Sequence, residues 1–255
     1  MAASSLSLFA LSGLPHVQAG DDLCSLLMKS LEQNELRLCD GDVLVLAQKI
    51  VSKSEGRSVR LDSVRPSEQA FRFAQETGKD PRLVELVLQE SKEVLRHRRD
   101  VMIVEHNLGF VMANAGIDMS NVEQANGEVA LLLPVDPDGS CAAIRQALKD
   151  RLGVDIGVVI NDSHGRAWRT GTVGVAIGVS GLPALLDRRG APDLFNRPLL
   201  ITEIGLADEI AAAASILMGA ADEGTPAVVV RGVPAPRREG NAKELVRPRH
   251  MDMFR

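Results

Sequence analysis

Three short aliphatic runs, Val43–Ala47, 156–160 and 227–230, constrain this chain most. Each is too short to pack as a helix and is apolar at nearly every position, the mark of a strand covered on both faces. Between them lie longer segments with helical spacing. The spacing predicts helices over 21–33, 66–77, 81–96, 140–152 and Leu206–Met218. Gly20-Asp21-Asp22 and Asp80-Pro81 supply starts, and Gly78 supplies a stop. Further strands are expected at the amino end (1–10), at 129–133 and at 172–179, and a hairpin over 101–105 and 110–113 turns at Asn107-Leu108-Gly109. The expected fold class is therefore α/β or mixed α+β, with two interwoven subdomains possible. No internal repeat or linker divides the chain. Residues 1–233 read as one domain, and the Pro/Arg-rich stretch 234–255 as a surface tail.

Composition narrows the partners. With a net charge of −5, 3% aromatic residues and no tyrosine, the chain lacks both the basic field and the stacking surface of a nucleic-acid binder. No apolar run approaches a membrane span, so neither nucleic acid nor membrane is expected and a cytoplasmic protein is. Cys24, Cys39 and Cys141 form no CxxC pair and read as free thiols.

Five segments carry groups with possible chemistry. Gly13-Leu14-Pro15-His16-Val17 is either a tight backbone segment against a base or a plain strand-to-helix loop. Lys49 and Lys53, in the segment from Gln48 to Arg57, have the charge for a phosphate cradle, with a basic surface loop as the alternative; no GxxxxGK[ST] sequence is present. Asp118, Ser120 and Asn121 form either an oxygen-rich metal loop or an Asx turn. The richest segment is 160–171. There an apolar run delivers Asp162 and Ser163 to an expected strand end, Gly165 permits a turn, and Arg166 and Arg169 flank Trp168. An acid and a hydroxyl suit a metal, and arginines clamp phosphate or carboxylate. The stretch 217–226 reads as a capped helix end or as backbone wrapped round a nucleotide.

Taken in order, GLPHVQAGDDL, DGDVLVLAQKIVSKSEGR, NAGIDMSNVE, LLPVDPDGS, VVINDSHGRAWRTGTVGVAIGVSGL, LADEIAAAASILMG and GTPAVVVRG resemble the coenzyme F420-0:L-glutamate ligase (gamma-glutamyl ligase) family. The resemblance implies a homodimeric enzyme of mixed fold. It would use GTP to add L-glutamate to F420-0, a deazaflavin precursor with a phosphodiester. Two Mn²⁺ or Mg²⁺ ions, often with K⁺, would assist. It implies a GTP site of Leu14, Pro15, His16, Val17, Gln48, Lys49, Lys53 and Asn121, completed by Met218, Gly219, Ala220, Ala221, Asp222, Glu223, Gly224 and Thr225. Asp118 and Asp162 would hold the first metal and Ser163 the second, with Arg166 and Arg169 steadying phosphates. At Ala220 some relatives place a carboxylate that binds the second metal; alanine can offer that metal only its backbone carbonyl. Some relatives continue into a nitroreductase-like domain, which is not expected here. The alternatives are a ligase for another acceptor and a non-catalytic nucleotide-binding regulator.

Overall fold

The computed structural model describes residues 5–124, 127–236 and 238–254. In chain order the elements are β1 (Ser7–Ala10), α1 (Leu23–Gln33), β2 (Val43–Ala47), α2 (Gln48–Ser54), β3 (Ser58–Arg60), α3 (Glu68–Thr77) and α4 (Pro81–Gln89). They continue with β4 (Ser91–Arg98), β5 (Val101–His106), β6 (Val111–Ala113), β7 (Val129–Leu131), α5 (Pro137–Leu152), β8 (Gly157–Arg166) and β9 (Arg169–Ser180). The last are β10 (Leu186–Asp187), β11 (Glu203–Ile204), α6 (Leu206–Met218) and β12 (Ala227–Arg231).

The three aliphatic runs lie side by side in a five-stranded sheet of order β1-β12-β2-β8-β9. Only β2 and β8 run parallel, with Val45 opposite Val159. On one face Leu44, Leu46, Val158 and Ile160 pack with Leu27 and Leu31 of α1 and Leu148 of α5. On the other, Val43, Val45, Val159 and Val228 meet Ala207, Ile210, Ala211 and Ala214 of α6. Burial on both faces is why these strands carry no polar alternation. Helix α5 starts where Asp136 accepts from the Gly139 N–H at 3.1 Å, and it stops at Gly153 with φ 71°. Asp136-Pro137 is thus the helix's own cap and first turn.

The chain between α2 and α5 forms a second body, the mixed-class second lobe. Its strands pair as β3-β7 and β4-β5-β6. Its core gathers Ala70, Ala74, Val84, Val87, Met102 and Val104. Within it Arg57, just past α2, donates to the Leu133 carbonyl at 2.8 Å and pairs with Glu90 at 2.9 Å.

Two expectations need correction. The helix read over 81–96 ends at Gln89, because residues 91–98 pair with β5, Val94 opposite Val104. Strand pairing overrides the helical spacing there. The strand read to end near Ile160 continues to Arg166, and Gly165 is not the turn: it pairs with Thr172, while the chain reverses at Ala167-Trp168. The segment past Val233 is exposed along much of its length but tied down: Ala242 is buried, its N–H bonds to Asp138 at 2.9 Å, and Glu244 accepts from the Ala184 and Leu185 N–H groups. All three cysteines are free thiols.

Candidate active site

Pairing of β2 with β8 stops at Ala47 opposite Asn161. Beyond that register β8 has only β9 beside it, and α2 turns away from the end of β2. The space vacated is a crevice outside the carboxyl ends of two parallel strands, the usual place for ligands in such sheets. Here it widens into a cleft of about 2380 Å³ that reaches the second body.

Every residue that the family resemblance implies for the nucleotide, metal and phosphate sites lines this one cleft. Leu14, Pro15, His16 and Val17 come from the loop before α1, and Gln48, Lys49 and Lys53 from α2. Asp118 and Asn121 come from the second body, and Asp162, Ser163, Arg166 and Arg169 from the β8–β9 hairpin. Met218, Gly219, Ala220, Ala221, Asp222, Glu223, Gly224 and Thr225 follow α6. Residues as far apart in sequence as Leu14 and Thr225 are thus brought to one surface by the sheet.

The lysine segment is a helix rather than a loop. Lys49 and Lys53 are four residues apart, one turn, and so share a face. Gln48 and Ser52 lie on the buried side, with the Ser52 hydroxyl donating to Gln48 Oε1 at 2.8 Å. Lys49 Nζ sits 2.7 Å from Asp118 Oδ2 and donates to Ser120 Oγ at 2.7 Å; Lys53 Nζ donates to the Asn121 carbonyl at 2.6 Å. Both lysines therefore clasp the loop of the second body. The Asn121 amide in turn donates to the Ala221 carbonyl at 3.0 Å, which links that loop to the one after α6.

Burial pushes the Asp118 carboxyl up, but the Lys49 ammonium and the Ser120 N–H and hydroxyl outweigh it, leaving the group below its ordinary value. Asp118 is thus an anion ready for a cation. Burial, and then the Lys49 ammonium, hold Lys53 below the ordinary lysine value. A polyanion arriving beside Lys53 relieves that penalty.

On β8, Asp162, His164 and Arg166 recur at every second residue and so share a face. His164 Nε2 lies 3.2 Å from Asp162 Oδ2. Arg166 Nη1 is buried without a hydrogen-bond partner, as is the Oδ1 of Asn161. A buried guanidinium N–H left open at the wall of a cleft is poised for an anion.

The loop after α6 holds an internal anion. Glu223 folds back so that its carboxylate accepts from the Ala221 N–H at 2.8 Å and from the Ala220 N–H, which holds it below the usual carboxylate range. Gly219, at φ 68°, lets the chain make this turn, and a Cβ there would collide with the Glu223 carboxylate. Ala220 itself offers the cleft no carboxylate.

Among the described residues no three His, Cys, Asp or Glu side chains converge as a metal cage. The donors present are carboxylate and hydroxyl oxygens, one acid at a time. They suit a hard ion such as Mg²⁺ or Mn²⁺ that completes its shell with phosphate oxygens and water. The chemistry on offer is to hold a polyanion between α2 and the hairpin, with oxygen donors for a hard cation at its centre.

Three cleft features escaped the sequence reading. The His164–Asp162 contact follows from strand alternation and was hidden by ending β8 too early. Asn161 falls within the segment 160–171, but nothing in the sequence assigns it a role of its own. Asp252, Met253 and Phe254 also line the cleft, and no local pattern brings the far end of the chain there.

A cleft between two interlocked α/β bodies, lined by lysines, carboxylates and an unpartnered arginine N–H, suits an anionic ligand, and the chain's similarities make the class specific. Residues 13–232 match the family described as F420-0:Gamma-glutamyl ligase, and the chain belongs to that family. It is 47% identical over 252 residues to the coenzyme F420:L-glutamate ligase of Methanothermobacter thermautotrophicus, covering 98% of this chain and 99% of the relative. The protein of the same name from Methanopyrus kandleri is 46% identical over 243 residues, 94% of this chain and 93% of that one. That from Archaeoglobus fulgidus is 43% identical over 250 residues, 98% and 96% of the two chains. Among the described residues no helix is long and apolar enough to cross a membrane.

Proposed function

We propose that this chain is a GTP-dependent ligase that joins L-glutamate, and then further γ-linked glutamates, to coenzyme F420-0 through an acyl phosphate. One observation carries the reading: five segments singled out by sequence, from Leu14 to Thr225, line a single cleft with room for a nucleotide and an acceptor together.

A carboxylate is a poor acyl donor until its oxygen is converted to a leaving group. The acceptor's terminal carboxylate oxygen attacks the γ-phosphorus of GTP, the bond to the β-phosphate oxygen breaks, and GDP departs. The glutamate amine then attacks the acyl carbon, loses a proton, and expels phosphate as the amide forms. Lys49 and Lys53 neutralise phosphate oxygens, and Arg166 supplies its open N–H to the transferring group or the acceptor. Asp118 and Asp162, with Ser163, would hold Mn²⁺ or Mg²⁺. Two such ions, with K⁺ as a further aid, supply positive charge that spreads the negative charge of the transferring phosphoryl group. For Asp118 to take an ion, Lys49 moves from the carboxylate to phosphate, a short exchange along the same cleft wall.

The acyl phosphate makes a chemical test possible. If the acceptor carboxylate is enriched in heavy oxygen, one labelled oxygen is expected in the released phosphate. Phosphate carrying no label excludes this route.

Lys53→Ala is expected to weaken GTP by roughly 1.5–3 kcal/mol, the worth of a hydrogen bond to a charged group, with a smaller effect on glutamate. Since Lys53 starts below the ordinary lysine value, the wild type should lose GTP affinity as pH rises through that lowered value, and Lys53→Arg should hold it to higher pH. An unchanged KM for GTP in Lys53→Ala removes this lysine from the nucleotide site.

With Glu223 committed to its own loop, the second ion has few anionic ligands. Ala220→Glu should lower the Mn²⁺ concentration needed for half-maximal activity. Identical titrations of Ala220→Glu and wild type would place this loop away from the metal.

An enzyme that draws on a free nucleotide and free glutamate belongs in the cytoplasm. A homodimer is supported by the arm between β10 and β11, where Leu194, Phe195, Leu200 and Ile201 are each at least 77% exposed. A monomer does not ordinarily leave so much aliphatic surface in water.

A further inference from the structure

We infer that Trp168 and Phe254 form an aromatic clip at the mouth of the cleft that stacks against the flat ring of the acceptor. The inference rests on the proposed ligase reading and specifies how that substrate lies.

Trp168 sits at the tip of the β8–β9 hairpin with φ 57° and is 84% exposed. Such exposure is unusual for the residue that buries the most apolar area. The ring of Phe254, from the far end of the chain, lies 4.9 Å from it at 64°. Phe254 is itself 55% exposed, so the pair is open to a third ring. Both side chains line the same cleft as Asp162. The C-terminal segment is thus part of the site wall.

Order along β8 indicates which ring belongs there. Phosphoryl transfer needs the acceptor carboxylate near Asp162. Four residues outward along β8, a backbone rise of about 13 Å, comes Arg166 with its unpartnered N–H, and Arg169 follows the turn. A substrate that carries a carboxylate at one end, an anionic phosphodiester next and a flat ring at the other end fits that sequence of groups. GTP is met from the other wall, by α2 and the loop after α6. The ring at the clip is therefore the deazaflavin and not guanine.

The chain has one tryptophan and no tyrosine, so its near-ultraviolet fluorescence reports on Trp168 alone. F420-0 added without GTP is expected to quench that emission saturably, and GTP alone to leave it unchanged. Trp168→Ala should raise the KM for F420-0 tenfold or more, the usual scale for loss of a stacked ring, with the KM for GTP held. Trp168→Phe should restore most of the affinity, and Phe254→Ala should raise the same KM by a smaller factor. Circular dichroism of the variants checks the fold. An acceptor KM in Trp168→Ala equal to wild type overturns the clip, and so does a shift in the KM for GTP alone, which would put guanine there. Both outcomes require an active wild type. A wild type that forms no glutamyl product would instead count against the ligase reading.

Discussion

Asp162→Asn is expected to abolish turnover while leaving the fold intact. The side chain lies on the first β8 residue beyond the end of β2, in the crevice and not in the core. Its side-chain partner is the imidazole of His164, at 3.2 Å. The amide keeps the shape and can still meet the imidazole, so packing hardly changes. What is lost is the negative charge that, on the proposed reading, would hold a metal beside the transferring phosphoryl group. A missing charged ligand should cost several kcal/mol of transition-state stabilisation, a loss of at least about a thousandfold in rate. Thermal unfolding should stay within a few degrees of wild type. Near-normal activity with unchanged metal affinity would refute the assignment and return Asp162 to a structural pairing with His164.

Gly174→Val is expected to destabilise the fold beside the site. Gly174 lies on β9 opposite Ser163, where α6 crosses the sheet. A Cβ there would meet the Ala211 carbonyl oxygen and Asn161 Oδ1, both at 2.5 Å. The first is helix backbone and cannot swing aside, so α6 must lift from the sheet. Overpacking of this kind costs about 1–3 kcal/mol or more, and in a chain this long that lowers the melting temperature by roughly 2–4 °C per kcal/mol. The same shift moves Asn161, next to Asp162, so activity should fall further than stability explains. A melting temperature equal to wild type would mean that α6 does not seat on this glycine.

How far the sequence reveals this molecule depends on how local each feature is. Val43–Ala47 and Leu206–Met218 are legible to the residue because burial on both faces and an alanine-rich helix leave strong local patterns. The strand at 91–98 is not, since its residues fit either period and only pairing with β5 decides. The length of β8 is hidden for a related reason. Past Asn161 its polar residues look like a loop, yet β9 continues to pair with them. The cleft residues are legible as segments and as a family resemblance, whereas their partners are not. That Lys49 reaches Asp118 across 69 positions, or that Phe254 reaches Trp168, follows from sheet order and from the inserted second body, neither of which has a local cue.

The central claim is glutamate transfer to the acceptor, and mass spectrometry of F420-0 after incubation with the protein, GTP, Mn²⁺ and L-glutamate tests it most directly. The expected result is a product heavier by whole glutamyl units, formed only when both GTP and the divalent metal are present. F420-0 unchanged in mass under every combination of nucleotide and metal would contradict it.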